Sequence, residues 1–172
     1  AAWQGTLAPG EDLLLAQHAD DQVESLLLAL LRGAGPAGLA AMPREAALGR
    51  GRLVRPLLGL SRDALRSYAG HHALTWVEDP SNQLQRFDRN YLRAEVVPRL
   101  RQRWPSLAQT LSRSARHCGS AAASLAEVAA RDLAAASDGA GLDPTVLRRW
   151  PADRQRDVLR AWQPSLSKLD IG

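Results

Sequence analysis

The segment HADDQVES, residues 18–25, concentrates groups that can do acid–base or cation-binding chemistry. It follows the apolar run LLLA at residues 13–16 and holds a histidine, two adjacent aspartates and a glutamate. An aspartate that opens a helix is an ordinary N-cap, and Asp21 and Glu24 have the spacing of a capping box. Like charges this close together also repel one another and favour a bound Mg²⁺ or an ammonium group. The residues alone therefore support a helix cap and a binding site about equally.

Two other segments carry weaker signals. In RGAGPAG, residues 32–38, glycines allow a phosphate to approach the backbone and Arg32 adds charge. This segment follows a helix instead of preceding one, which favours a C-cap and a turn. In EDPSNQLQRFDRN, residues 78–90, acids, amides and arginines alternate, and Arg86, Arg89 and Arg93 form a cluster that could hold RNA phosphates. The alternative is a solvated loop followed by a helix cap.

Hydrophobic periodicity predicts alternating strands and helices in the first part of the chain. A short buried strand at 13–17 precedes an amphipathic helix at 21–31 that ends at Gly33. Ligands of open α/β sheets bind at the carboxyl ends of parallel strands, where the acidic segment would lie. The other expected elements are a strand over 52–58, a helix from Ser61 to about Gly70, a third strand edge at 75–77, and a helix capped by Asp88 that Pro98 bends or breaks.

The composition changes near WPS at 104–106, and an all-helical part is predicted beyond it. Small apolar residues recur in steps of four and three, which predicts one helix from about 106 to 136. Pro144 is placed as the first residue of another helix, and Trp150-Pro151 leads into one more. We therefore expect two domains, residues 1–103 and residues 104–172.

Composition limits the class of protein. The 172 residues carry a formal net charge of +4, which admits a polyanionic partner without showing one. Of the 22 basic residues only Lys168 is a lysine, a bias typical of genomic base composition. The single cysteine, Cys118, excludes an internal disulfide and fits a reducing compartment. No apolar run is long enough for a membrane span, and no secretory signal is evident, so a cytoplasmic protein is expected.

The order of five motifs is more specific than any one of them. HADDQVES, RGAGPAGL, RPLL at 55–58, WVEDPSNQ and FDRNYLR at 87–93 together resemble the tRNA(Ile)-lysidine synthetases. Ser25 stands where the family usually has threonine, and Ala34 where it has serine. The resemblance is dense over about residues 12–105. It implies an α/β fold, the C-terminal part of a parallel-sheet ATP-pyrophosphatase (adenine nucleotide alpha hydrolase-like) domain, followed by an all-α helical domain.

The same resemblance implies an activity. Members of this family use ATP and Mg²⁺ to adenylate O2 of the wobble cytidine in a tRNA(Ile) with a CAU anticodon. The ε-amine of free L-lysine then attacks C2 and expels AMP. The lysidine so formed pairs with A instead of G, and the tRNA changes its identity from methionine to isoleucine. No membrane partner is expected, and a homodimer is left open.

The resemblance also implies roles for residues of this chain. The expected catalytic residues are His18, Asp20, Asp21 and Glu24, with Asp20 and Asp21 as the choice for Mg²⁺ or for orienting lysine. Arg55 and Arg93 could equally be ion-pair partners of Glu78 or Asp79. The residues expected to hold substrate, tRNA or the site itself are Arg32, Gly33, Gly35, Arg55, Glu78, Asn82, Arg89, Asn90 and Arg93.

One motif of the family has no counterpart here. Its nucleotide loop, S-G-G-x-D-S, should lie upstream of the acidic segment and cradle the phosphates of ATP. We therefore expect this chain to be part of a longer protein and, in isolation, to bind no ATP and to lack synthetase activity. The alternatives are a non-catalytic tRNA-binding protein of the same fold and another PP-loop tRNA-modifying enzyme. A thiolase would need paired cysteines, and the lone Cys118 disfavours it.

Overall fold

The structure is a computed structural model that describes residues 7–8, 10–77, 88–137 and 141–166, with side chains described as far as Trp162. The chain divides into two compact units, residues 1–119 and 120–172. In chain order the elements are β1 Asp12–Leu14, α1 Ala19–Leu31, α2 Pro36–Leu39, β2 Glu45–Leu48, β3 Gly51–Val54, α3 Arg62–His71, α4 Asp88–Tyr91, a π-helical segment Leu92–Val96, α5 Val97–Arg103, α6 Leu107–Ala136, α7 Pro144–Leu147 and α8 Ala152–Leu166.

The described strands form a small mixed sheet in the order β1-β3-β2. β1 and β3 overlap the two predicted strands and pair in parallel, so the implied parallel sheet is confirmed in part, although both strands are shorter than predicted. β2 was not predicted, and it pairs with β3 antiparallel through a turn at Gly49, which takes a φ of 60°. The prediction that the first strand is buried is wrong, because β1 is an edge strand of the described sheet and Leu14 is 64% exposed.

Helix α1 begins two residues earlier than predicted. His18 is its N-cap, and the Oδ2 atom of Asp21, at the third helical position, accepts a hydrogen bond from the His18 backbone N–H at 2.9 Å. The prediction that Asp21 is the cap is therefore wrong, since Asp21 takes the acidic position that closes a capping box. The predicted end is confirmed, because Gly33 follows the helix with a φ of 71°, which favours glycine.

The elements after the sheet follow the local sequence signals in most places. The Oγ atom of Ser61 accepts a hydrogen bond from the Ala64 backbone N–H at 3.1 Å, which confirms the predicted cap of α3. Residues 75–77 form no strand, so that prediction is wrong. The predicted interruption near Pro98 appears as the π-helical segment just before it, since proline cannot donate the helical hydrogen bond.

The core of the first unit joins α1, α5 and the start of α6. Val23, Val97 and Leu107 are almost fully buried against one another. The partly buried side chains packed around them are Leu27, Leu100, Ala108 and Leu111. The apolar face predicted for the first helix is therefore confirmed in part, because Val23 and Leu27 pack in this core whereas Leu30 and Leu31 are 59% and 73% exposed.

The described part of the second unit contains an ion pair between a buried aspartate, Asp132, and a half-exposed arginine, Arg154. Both carboxylate oxygens of Asp132 accept hydrogen bonds from Arg154, at 2.5 and 2.6 Å, and this guanidinium lowers the pKa of Asp132. The guanidinium also lies over the Trp150 ring, 4.7 Å from its centroid. The predicted extent of α6 and the position of Pro144 at the start of α7 are confirmed. Within the described residues, no helix combines the length and apolar character that crossing a membrane requires.

Replacing Gly51 with alanine tests the parallel pairing of β1 and β3. A Cβ atom at Gly51 would collide with the backbone carbonyl oxygen of Glu11, closer than real Cβ atoms approach any atom. We expect Gly51→Ala to lower the free energy of unfolding by about 1–3 kcal/mol. Urea denaturation measures this change. Gly59→Ala is the matched control, because nothing lies within 4 Å of the Cβ position there. Equal stabilities of the two variants would contradict the described register.

Candidate active site

The acidic segment and helix α3 lie at the same edge of the sheet. Because β1 and β3 are parallel, the helices that follow them begin next to each other. The Ala19 backbone N–H donates to the Leu60 carbonyl at 2.8 Å, and the Arg62 backbone N–H donates to Oδ2 of Asp20 at 2.7 Å. Asp20 therefore stabilises the first turn of α3 as well as belonging to α1, at the strand edge where open α/β sheets bind ligands.

Glu24 is the centre of a buried ion-pair cluster. Its side chain is 2% exposed, and its Oε2 atom accepts from the Nε atom of Arg89 at 2.9 Å. Arg93 donates to Oε1 from Nε at 2.6 Å and to Oε2 from Nη2 at 3.0 Å. Arg89 also donates to Oγ of Ser25 at 3.2 Å. The acidic segment and the two arginines, which lie more than 60 residues apart in the sequence, are thus one site.

The carboxylates of Asp20 and Asp21 are also occupied by donors. The second oxygen of Asp20 pairs with the guanidinium of Arg101. Asp21 accepts from Nη2 of Arg93 at 3.0 Å and from the His18 backbone N–H. Among the described residues, no group of three or more histidine, cysteine or acidic side chains could hold a metal ion. The two aspartates, surrounded by guanidinium groups, therefore do not fit a resident Mg²⁺ site in this arrangement.

Among the described contacts, the buried Nδ1 atom of the His18 side chain has no hydrogen-bond partner. This atom lies 3.4 Å from Oδ2 of Asp21 and 3.7 Å from Oδ2 of Asp20, and the His18 side chain is 15% exposed. Burial lowers the pKa of His18 from its ordinary 6.5, although the nearby carboxylate of Asp21 acts in the opposite direction. The imidazole is therefore neutral near pH 7 and able to accept a proton.

Several predicted site residues lie outside this cluster. Arg55 donates to Oε1 of Gln17 at 2.5 Å and to the Pro43 carbonyl at 2.8 Å, contacts that fix the loop before β2. Arg32 and Gly33 form the C-terminal end of α1, Gly35 caps α2, and Asn90 lies in α4. Glu78, Asp79 and Asn82 lie outside the described residues, so their predicted pairing stays a prediction.

Other residues of the site gave no recognisable signal in the sequence. Gln22 is buried, and its side-chain amide makes two hydrogen bonds with the backbone of Met42, at 3.0 and 3.1 Å. A glutamine on a helix predicts a solvated position, so only the fold reveals this contact. Arg101 was equally unexpected, because a basic residue in the last turn of a helix is common and stabilises that end.

Two cavities adjoin the cluster and share Arg62 and Arg66. The smaller, of about 190 Å³, is lined by Asp20, Glu24, Arg62, Asp63, Arg66, Arg93, Val97, Pro98 and Arg101. The larger, of about 370 Å³, is lined by His18, Arg62, Leu65, Arg66, Ala69, Leu74, Thr75 and Trp76. The arrangement thus offers a neutral histidine in the wall of one cavity and arginines in both, which suits a substrate that carries an anionic group.

These features coincide with a match to a known family. The profile of the PP-loop domain matches residues 5–100, and the chain belongs to that family. It is 52% identical to the tRNA(Ile)-lysidine synthase of Pseudomonas aeruginosa over 98% of this chain and 40% of that protein. The tRNA(Ile)-lysidine synthase of Pseudomonas putida is 49% identical over 98% and 42%, and that of Coxiella burnetii 49% over 94% and 36%. The chain thus spans about 40% of the length of the curated relatives it matches.

Replacing Glu24 with glutamine tests the ion-pair cluster. The variant leaves two guanidinium groups around a neutral amide, and because Arg89 and Arg93 are partly exposed the loss should be about 1–3 kcal/mol. We expect the urea midpoint of Glu24→Gln to fall accordingly. Asp157→Asn removes the partner of an exposed pair with Arg160 and should cost less than about 1 kcal/mol. Similar losses in the two variants would show that the cluster does not hold the helices together.

The lowered pKa of His18 predicts a pH dependence of stability. The unfolded chain takes up a proton at this histidine below about pH 6.5, whereas the folded protein resists it until a lower pH. The contribution of His18 to the free energy of unfolding should therefore decrease as the pH drops from about 7 towards 5. Urea denaturation of His18→Gln across this window should show a flatter profile than wild type. His117→Gln, at an exposed site on α6, should follow wild type.

Proposed function

We propose that this chain is part of a tRNA(Ile)-lysidine synthase. The activity is ATP-dependent ligation of lysine to C2 of the wobble cytidine in tRNA(Ile). The observation that carries the proposal is the identity of about 50% to proteins of that name over nearly the whole chain. ATP use is in keeping with membership of the PP-loop family. The proposal includes a predominantly helical domain that follows the α/β domain, with a boundary near residue 103. It also includes a cytoplasmic location.

The reaction needs a base for the attacking amine. An ammonium group must lose a proton before its nitrogen can attack C2, and a positioned base typically contributes 10²–10⁴-fold to such a step. Burial keeps His18 neutral near pH 7, and its ring lines the larger cavity. We therefore assign His18 as the proton acceptor. Asp20, Asp21 and Glu24 are assigned a supporting role, since their oxygens bind the backbone of α3 and three arginines and so hold the helices around His18 together.

Charge on the leaving AMP and pyrophosphate must also be neutralised. Four arginines and three carboxylates line the smaller cavity, so its lining carries a net positive charge close to the proposed base. Mg²⁺ is proposed as a companion of the ATP phosphates, which commonly bind this ion together with only one or two carboxylates. Because the Asp20–Asp21 pair does not fit that ion, no step is assigned to a metal at these residues.

Lysine incorporation by the whole protein that contains this chain tests the proposal. Purified protein should attach labelled lysine to a tRNA(Ile) transcript with a CAU anticodon, only in the presence of ATP, and release one AMP per lysine. His18→Ala should lower the turnover number by about 10²–10⁴-fold while the urea midpoint stays close to wild type. The matched control is His117→Ala, which should remain as active as wild type.

The competing functions predict other outcomes. A non-catalytic tRNA-binding protein would bind the transcript and incorporate no lysine. A different PP-loop tRNA-modifying enzyme would consume ATP and alter the tRNA without adding the mass of lysine. Wild-type turnover in His18→Ala would remove the assigned base and leave the overall reaction standing. The same measurements therefore separate an error about the site from an error about the function.

A further inference from the structure

The turn before α1 is attached to the loop at residues 40–44, which connects α2 with β2, through one arginine. Arg55, the residue after β3, donates from Nε to Oε1 of Gln17 at 2.5 Å. It also donates from Nη1 to the Pro43 carbonyl at 2.8 Å. Gln17 directly precedes His18, the N-cap of α1. The guanidinium of Arg55 therefore joins the turn that carries His18 to the loop at 40–44.

The same loop is attached to α1 a second time, on the C-terminal side of His18 in the sequence. The side chain of Gln22, which is buried, accepts a hydrogen bond from the Met42 backbone N–H at 3.1 Å and donates one to the Met42 carbonyl at 3.0 Å. The backbone N–H of Gln22 donates to the His18 carbonyl at 3.2 Å. His18 thus lies between two glutamines that are both tied to the loop, one of them through an arginine.

The loop itself is held in a strained conformation. Ala41 has a φ of 52°, in the left-handed region that is unfavourable for a residue with a Cβ atom. Such a conformation persists only where the surrounding contacts maintain it. Besides the bonds from Gln22, the Arg55 backbone N–H donates to the Arg44 carbonyl at 2.8 Å. The loop is therefore a fixed point to which the turn before α1 can be attached.

Arg55 acts on its neighbours through geometry. Its acceptors among the described residues are a side-chain amide and a backbone carbonyl, which are both neutral. The planar fork of a guanidinium suits two acceptors that belong to different segments. Burial has the largest effect on the pKa of His18, and the charged groups that also shift it are Asp21, Arg93, Glu24 and Arg62. Arg55 is not one of these groups, so its influence on His18 is expected through the position of the turn.

We propose that Arg55 is a positioning residue, which holds the imidazole of His18 in the wall of the larger cavity by fixing Gln17 to the loop at 40–44. The role of His18 as proton acceptor rests on the proposed function. The described bonds of Arg55 are to the chain itself, so its loss should lower the turnover number and leave substrate affinity unchanged. The position of the imidazole can also be followed without lysine ligation.

Two variants of the whole protein that contains this chain break the contact between Arg55 and Gln17 from either side. Arg55→Lys keeps the charge and removes the fork, and Gln17→Met removes the acceptor at similar length. Each should lower kcat for lysine incorporation by about tenfold or more, with KM within about twofold of wild type, because a misplacement of about 1 Å can cost about 10²-fold. In a His18→Ala background, Arg55→Lys should cause no further loss.

The chemical reactivity of His18 reports its position directly. Diethyl pyrocarbonate modifies accessible neutral imidazoles, and mass spectrometry assigns the modified residue. Because the His18 side chain is only 15% exposed, both variants should raise its rate of modification several-fold. The rate at His117, an exposed residue on α6, should stay the same. Cooperative urea unfolding shows that each variant is folded.

Arg52→Lys is the matched control. It makes the same substitution on β3, where the Arg52 side chain is 59% exposed and its forked bond goes to Asp12. This variant should leave kcat and the rate of modification at His18 unchanged.

Each outcome decides a different point. An unchanged rate of modification at His18 in both variants, or a further loss of kcat from Arg55→Lys in the His18→Ala background, would overturn the positioning role. Equal effects of Arg52→Lys and Arg55→Lys would also overturn it. Absence of lysine incorporation in wild type, with the rates of modification changed as expected, would overturn the proposed function and leave the positioning of His18 by Arg55 standing.

Discussion

The carboxylate of Glu24 is the constraint on which the rest of the site depends. A charge that is 2% exposed would be strongly destabilising without partners, and burial of charges is tolerated only when they are paired and hydrogen-bonded. Arg89 and Arg93 supply three hydrogen bonds to its two oxygens. Because these arginines lie on α4 and the π-helical segment, the pairing fixes that helical run against α1. The buried Val23–Val97 contact then continues the same interface as an apolar core.

This use of charge limits the chemistry that the acidic segment can do. Carboxylates that neutralise three arginines cannot at the same time concentrate negative charge for a divalent cation. Asp20 also links α1 to α3 and α5, because it accepts a hydrogen bond from the Arg62 backbone N–H and pairs with Arg101. His18 differs from its acidic neighbours, because burial keeps it neutral near pH 7 and its ring lines a cavity. Within HADDQVES, the acidic residues are therefore occupied by partners on other helices, and the histidine is the group that lines the larger cavity.

Local signals predicted the elements well where the chain itself supplies the stabilising contact. Ser61 caps α3 through the backbone N–H of Ala64 in the first turn, Gly33 ends α1 with a positive φ, and the period of small residues gives the extent of α6. Prediction failed where pairing with another strand decides the outcome. The edge position of β1 depends on the distant β3, and β2 is rich in glutamate and alanine, which are uncommon in strands, so that only its hairpin with β3 reveals it. Thr75–Val77 has strand composition but no strand beside it among the described residues.

For the site, too, the sequence predicted which residue types matter, but it did not predict which of them come into contact. HADDQVES and the arginines near residue 90 could each be recognised from residue types, but the spacing along the chain could not show that one neutralises the other. The parallel pairing of β1 and β3 brings the start of α3 beside His18, and this alone places Arg62 and Arg66 between two cavities. A segment that resembles a catalytic motif by composition can therefore act mainly by stabilising the helices packed beside it. In this chain that support places one neutral histidine and a row of arginines around the same concave surface.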